Sequence, residues 1–136
     1  MNENELSEKI IGLAIKVHSA LGPGLLESAY EKALVFELSR NGYKAEVQKS
    51  ISINYEGIII DEGYRADIVV NDIVLIELKS VKQIEDIHLK QLLTYLRLSG
   101  KKLGLLINFN EILLKNGIRR VINGTIELAH KRKDSL

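Results

Sequence analysis

The sequence predicts an α/β sandwich, a mixed sheet with antiparallel hairpins and helices packed on its faces. Three observations lead there. Two helix-period segments open the chain, and β-branched runs fill its middle. A leucine-striped helix then separates the last hairpin from a continuous apolar run, Leu103 to Phe109. The resulting order is α-α-β-β-β-α-β, with a last short strand to follow.

The first helix is expected over 4–20, where Leu6, Ile10, Leu13, Ala14, Val17 and Leu21 recur at steps of three and four. Gly22-Pro23-Gly24 breaks it and holds the only proline, a residue that favours the first turn of a helix. The second helix is expected over 25–40, with Leu26, Tyr30, Ala33, Leu34 and Leu38 as its apolar face and Asn41-Gly42 as its stop. Residues 45–54 read as a strand carrying Val47, Ile51 and Ile53, and Glu56-Gly57 as a turn. Ile58-Ile59-Ile60 is a short apolar piece that Asp61-Glu62-Gly63 is expected to break. Residues 64–70 and 73–80 form a hairpin, and 84–99 a third helix with Leu89, Leu92, Leu93 and Leu96 inside. The run 103–109 suits a strand covered on both faces. Residues 118–122 complete the sheet, and the basic tail from His130 is expected to fray.

The 136 residues fit one domain, 1–136, long enough to bury a core without staples. The chain has no cysteine, which excludes disulfides, cysteine-held zinc and a thiol nucleophile, and suits a reducing cytoplasm. The polar, acidic start is not a secretory signal, and no apolar run approaches the roughly 18 residues that span a membrane. Net charge is +1, but it is unevenly spread. Residues 1–62 hold 6 Lys/Arg against 10 Asp/Glu, and residues 63–136 hold 13 against 8. A basic second half suits a polyanionic partner, and equally an ordinary solvated surface.

The segment Arg65 to Lys79, R-A-D-I-V-V-N-D-I-V-L-I-E-L-K, sets Asp67, Glu77 and Lys79 among residues that favour burial. Charge is costly to bury unless paired or metal-bound. The hairpin is therefore either a solvated cross-strand ladder or a metal-dependent hydrolytic site. Glu77 and Lys79 share one face of their strand. A three-residue loop or a bulge would set Asp67 opposite Glu77, whereas a two-residue Asn71-Asp72 turn would put Asp67 on the wrong face. Two opposed carboxylates, with the carbonyl of Leu78, suit Mg²⁺ or Mn²⁺ better than zinc. Held there, such a cation would neutralise phosphoryl charge and activate water, while the lysine orients that water or stabilises charge.

Gly24, Glu27 and Tyr30 run down one side of the second helix. Glu27 either complements the helix dipole or delivers a third carboxylate, and Tyr30 is either core or a substrate contact. His88, Gln91 and Tyr95 lie at i, i+3 and i+7 beside the leucine stripe, where Gln91 could reach a phosphate, a metal-bound water or Lys79. His18 is a candidate phosphate contact just before the Gly-Pro-Gly break.

Together these elements resemble the GxxExxY family, a branch of the PD-(D/E)XK nuclease superfamily. The likeness rests on V-H-S-A-L-G-P-G-L-L-E-S-A-Y-E-K-A-L, R-A-D-I-V-V, I-E-L-K-S, H-L-K-Q-L-L-T-Y-L and L-G-L-L-I-N-F, in that order, over about residues 6 to 126. It implies a restriction-endonuclease-like α/β/α sandwich with a central mixed sheet of four to five strands. It also implies a divalent-metal-dependent nuclease acting on DNA or RNA. Asp67, Glu77 and Lys79 match the catalytic aspartate, acid and lysine. Glu27 matches a helix-borne auxiliary carboxylate, and Gln91 the glutamine after the motif. Ala66 stands where the superfamily has proline. Arg65 and Lys82 are expected on the nucleic-acid backbone. The alternatives are a non-catalytic binding module on the same fold and an enzyme for another phosphate ester. A sheet edge or helix face could support a homodimer.

Overall fold

Asn2 starts the first helix with a reciprocal cap. Its side chain accepts from the Glu5 N–H at 2.8 Å, and the Glu5 carboxylate accepts from the Asn2 N–H at 3.1 Å. This computed structural model describes residues 1–124, and the basic tail from His130 lies outside them. Helix α1 spans Glu3–Leu21 and α2 Glu27–Arg40; strands β1, β2 and β3 span Ala45–Tyr55, Ile58–Val70 and Val74–Lys79. Helix α3 (Asp86–Ser99), strand β4 (Leu103–Asn108), a single 3-10 turn at Leu114–Gly117 and strand β5 (Ile118–Ile122) follow. Gly100 ends α3 at φ 72 in the left-handed region, as a residue without Cβ should.

The five strands form one mixed sheet in the order β1-β2-β3-β4-β5. The β3–β4 pair is parallel, joined through α3, and the other pairs are antiparallel. Helices α1 and α2 cover one face. There Leu6, Ile10, Ala14, Val17, Tyr30, Leu34 and Leu38 pack on Ile68, Val70, Val74, Ile76 and Leu78. Helix α3 covers the other, setting Leu92 and Leu96 on Ile51, Ala66, Val69, Leu75 and Leu106. The result is an α/β/α sandwich. Among the described residues no helix is long and apolar enough to cross a membrane.

Two expectations are corrected. Asp61-Glu62-Gly63 does not break the chain, because β2 runs unbroken from Ile58 to Val70. The strand absorbs the segment as a bulge: Ile51 pairs with Tyr64 but Ile53 with Ile60, so four steps of β2 face two of β1. Gly63 permits the bulge, since a Cβ there would overlap the Ile53 side chain. The second helix starts at Glu27 rather than Leu25, because Gly22-Pro23-Gly24 continues as a loop through Leu26.

Candidate active site

The hairpin between β2 and β3 decides the geometry. Its ladder is Val70 with Val74, Val69 with Leu75 and Ile68 with Ile76. The loop therefore has three residues, with Asn71 and Asp72 left-handed at φ 52 and 58. The Ile73 N–H closes it by donating to the Val70 carbonyl at 2.9 Å. This register sets Asp67 across from Glu77.

Beyond Ile68 and Ile76 the two strands part, while β3 stays paired to β4 as far as Lys79 with Asn108. Carboxylates take over where main-chain partners are lost. The Leu78 N–H donates to Asp67 Oδ2 at 2.8 Å, and the Asp67 N–H donates to Glu77 Oε2 at 3.3 Å. In a strand a residue's N–H and C=O point the same way, so the Leu78 carbonyl also faces this fork. Val74, Ile76 and Leu78 pack under α1 and α2 and Leu75 under α3, so Glu77 and Lys79 share the α3 side.

The Tyr64 hydroxyl donates to Glu77, and its ring stacks on Tyr95 of α3 at 13° between planes. Burial, then the charge of Asp67, push the Glu77 carboxyl up to about 7, against the pull of the Tyr64 hydrogen bond, the Asp67 N–H and the Lys79 charge. Burial and the Glu77 charge hold the Tyr64 phenol far above its ordinary value. Two crowded carboxylates, one of them disfavoured as an anion, form a donor set that the charge of Lys79 only partly offsets. These hard oxygens fit a divalent ion that keeps several of its own waters. Among the described residues no group of three or more His, Cys, Asp or Glu gathers to hold a metal.

Glu27 is therefore not drawn in with Asp67 and Glu77. Its Oε2 accepts from the Ser80 N–H at 3.1 Å, one residue past Lys79. The Ser80 hydroxyl donates to the Leu25 carbonyl at 2.7 Å. Tyr30 completes this clasp, donating to the Gly22 carbonyl at 2.6 Å and accepting from the Leu25 N–H at 3.0 Å. It is wholly buried and stacked on Phe109 at 4.4 Å, so it does not meet the substrate contact expected of it. Glu27 and Tyr30 thus dock the start of α2 onto the end of β3, while Gly24 lies in the loop before the helix.

His18 is also inward. It is 7% exposed, and its Nε2 lies 2.7 Å from the Glu111 carbonyl, so that nitrogen is engaged within the protein. Arg65 and Lys82 are exposed, Arg65 on β2 and Lys82 in the loop after β3. Gln91 is exposed one turn before Tyr95 on α3. His88 caps that helix, its Nδ1 accepting from the Glu85 N–H at 3.0 Å.

Sequence reasoning missed Tyr64, Gln48 and Glu31. The Gln48 amide donates to Asp67 Oδ1 at 3.2 Å and to Glu31 Oε1 of α2 at 2.7 Å. Glu31 lies four residues after Glu27, a helical step that could have drawn attention to it. Tyr64 reads as an ordinary strand aromatic, and nothing marks Gln48.

A mixed sheet thus lies between helices, and Asp67 and Glu77-x-Lys79 come together where two of its strands fork. The chain belongs to the PD-(D/E)XK nuclease superfamily, whose family model matches residues 4–121. Members of that superfamily generally hydrolyse phosphodiester bonds and typically use divalent metals. No curated protein and no solved structure matches the chain.

Proposed function

We propose that the protein is a divalent-metal-dependent nuclease of the GxxExxY branch, hydrolysing phosphodiester bonds in DNA or RNA in the cytoplasm. The observation that carries this reading is the pair of carboxylates, Asp67 and Glu77, replacing the main-chain ladder at the fork beside Lys79. Asp67, Glu77 and the Leu78 carbonyl would hold Mg²⁺ or Mn²⁺, with Glu27 as an auxiliary carboxylate. When bound, the cation would neutralise phosphoryl charge and acidify a water. Lys79 orients that water or stabilises the developing negative charge. Gln91, Arg65 and Lys82 contact the nucleic-acid backbone.

A panel of single-stranded, double-stranded and branched DNA and RNA, with Mg²⁺, Mn²⁺ or EDTA, tests this beside the Asp67→Ala variant. Metal-dependent cleavage by the wild type alone is expected. Cleavage that persists in EDTA or in the variant rejects the site. One observation favours a second reading, a non-catalytic binding module: among the described residues no third acid closes on the pair to form a metal-holding group. Millimolar Mg²⁺ that leaves both the calorimetric trace and the melting temperature unchanged would support that reading.

A further inference from the structure

Gln48 holds a backbone conformation its sequence position does not explain. It lies inside β1 yet has φ 51, in the left-handed region that side chains with a Cβ avoid. Its neighbours keep the ladder, Val47 with Ile68 and Lys49 with Ala66, so Gln48 stands across from Asp67. At that same point the alternation of β2 slips. Tyr64 and Ala66 pack toward α3, whereas Ile68 and Val70 pack toward α1 and α2. Strain persists where surrounding structure enforces it, and functional sites are where it collects.

The side chain supplies a reason. Its Nε2 donates to Asp67 Oδ1 at 3.2 Å and to Glu31 Oε1 at 2.7 Å. Both partners are carboxylate oxygens, so the amide must present its nitrogen to them. The other Asp67 oxygen is taken by the Leu78 N–H. Each Asp67 oxygen thus has one fixed donor, and the amide also separates Asp67 from a neighbouring acid on α2.

We infer that Gln48 is a positioning residue for Asp67, its strained backbone placing an amide that aims this carboxylate at the cation site and screens it from Glu31. The inference rests on the proposed role of Asp67 in metal binding. The test is Mn²⁺ titration by calorimetry, with metal-free melting curves, on the wild type and the Gln48→Gly, Gln48→Ala and Asp67→Ala variants. Glycine adopts this φ without strain, so Gln48→Gly should melt above the wild type. It should nevertheless bind Mn²⁺ about tenfold more weakly, the loss usual for partners that orient a metal ligand. Gln48→Ala keeps the strain and loses the amide, so it should show the same weakened binding with no rise in melting temperature. Asp67→Ala sets the floor. Wild-type affinity in both Gln48 variants overturns the inference and reduces Gln48 to a structural kink, while leaving the metal site intact. A wild type that takes up no Mn²⁺ overturns the metal reading itself, and this inference with it.

Discussion

The two sides of the sheet are built to different ends. On the α1–α2 side, Leu6, Ile10, Leu34 and Leu38 are fully excluded from water and pack on equally buried strand residues. Half-buried apolar residues border both sides, but on the α3 side the buried cluster is smaller, and half-buried Tyr64 and Tyr95 adjoin its charged residues. Strand β3 feeds both: Val74, Ile76 and Leu78 go to the closed side, Leu75, Glu77 and Lys79 to the other. One side can then supply stability while the other carries charges that burial penalises. Variants on each side test that division.

The largest expected effect is catalytic. Asp67→Ala should lower metal-dependent cleavage about 10³-fold or more, some 4 kcal/mol of transition-state stabilisation. The same change removes the acceptor of the Leu78 N–H and should cost stability on the order of 1 kcal/mol. A large loss of fold with little loss of rate would place Asp67 among structural residues and erase the division.

Paired truncations come next. Leu34→Ala and Leu92→Ala both delete a buried leucine, for which about 2–5 kcal/mol is usual. Leu34 should fall near the upper end, because it is fully excluded from water within the larger buried cluster. Leu92 should fall near the lower end. It packs over Gly104, where a Cβ would lie 2.9 Å from its Cδ1, and its half-buried neighbours can move in. Urea midpoints measure both. Equal costs would mean that the α3 side is as rigid as the other.

Glu77 gives a pH signature. Its carboxyl is raised in the folded protein from 4.5 to about 7, so between these values the native state binds more protons than the unfolded chain. This contribution to stability is fully present below pH 4.5 and is lost as pH rises through about 7. Its size is on the order of 3 kcal/mol. Metal-free protein should therefore lose stability between pH 5 and 8, Glu77→Gln should flatten that slope, and Mg²⁺ or Mn²⁺ should bind more tightly above pH 7 than below it. A slope unchanged by Glu77→Gln would assign the titration elsewhere.

Much of this division was legible in the residues. Helical spacing placed α1, α2 and α3, and the Glu77-x-Lys79 step placed both charges on one face of β3. The uncertain link was the loop length after Val70. Asn71-Asp72 suits a two-residue turn, yet Ile73 joins them because its N–H reaches the Val70 carbonyl, and this one residue puts Asp67 opposite Glu77. Asp61-Glu62-Gly63 misled because a polar, glycine-ended triplet reads as a turn, while pairing with β1 absorbs it as a bulge. Gln48 was invisible, since glutamine carries no local preference for a left-handed backbone and tertiary pairing alone imposes one. His18 and Tyr30 looked available because polar atoms on a helix suggest contacts outward. Both turn inward to main-chain groups that no local pattern reveals.

Tyr30 supplies the smallest and most discriminating test. Its hydroxyl bridges the Gly22 carbonyl and the Leu25 N–H, so Tyr30→Phe keeps the ring against Phe109 while leaving two main-chain groups without their partner. The expected cost is about 1–2 kcal/mol. For a domain of this size that lowers the melting temperature by roughly 4–8 °C. Glu27 and Ser80 still hold the end of β3 to α2, so Asp67, Glu77 and Lys79 should keep their relation. Cleavage measured well below the new melting temperature should then show an unchanged KM. A raised KM with an unchanged melting temperature would instead make Tyr30 a substrate contact, and the α1–α2 side of the sheet would no longer be purely structural.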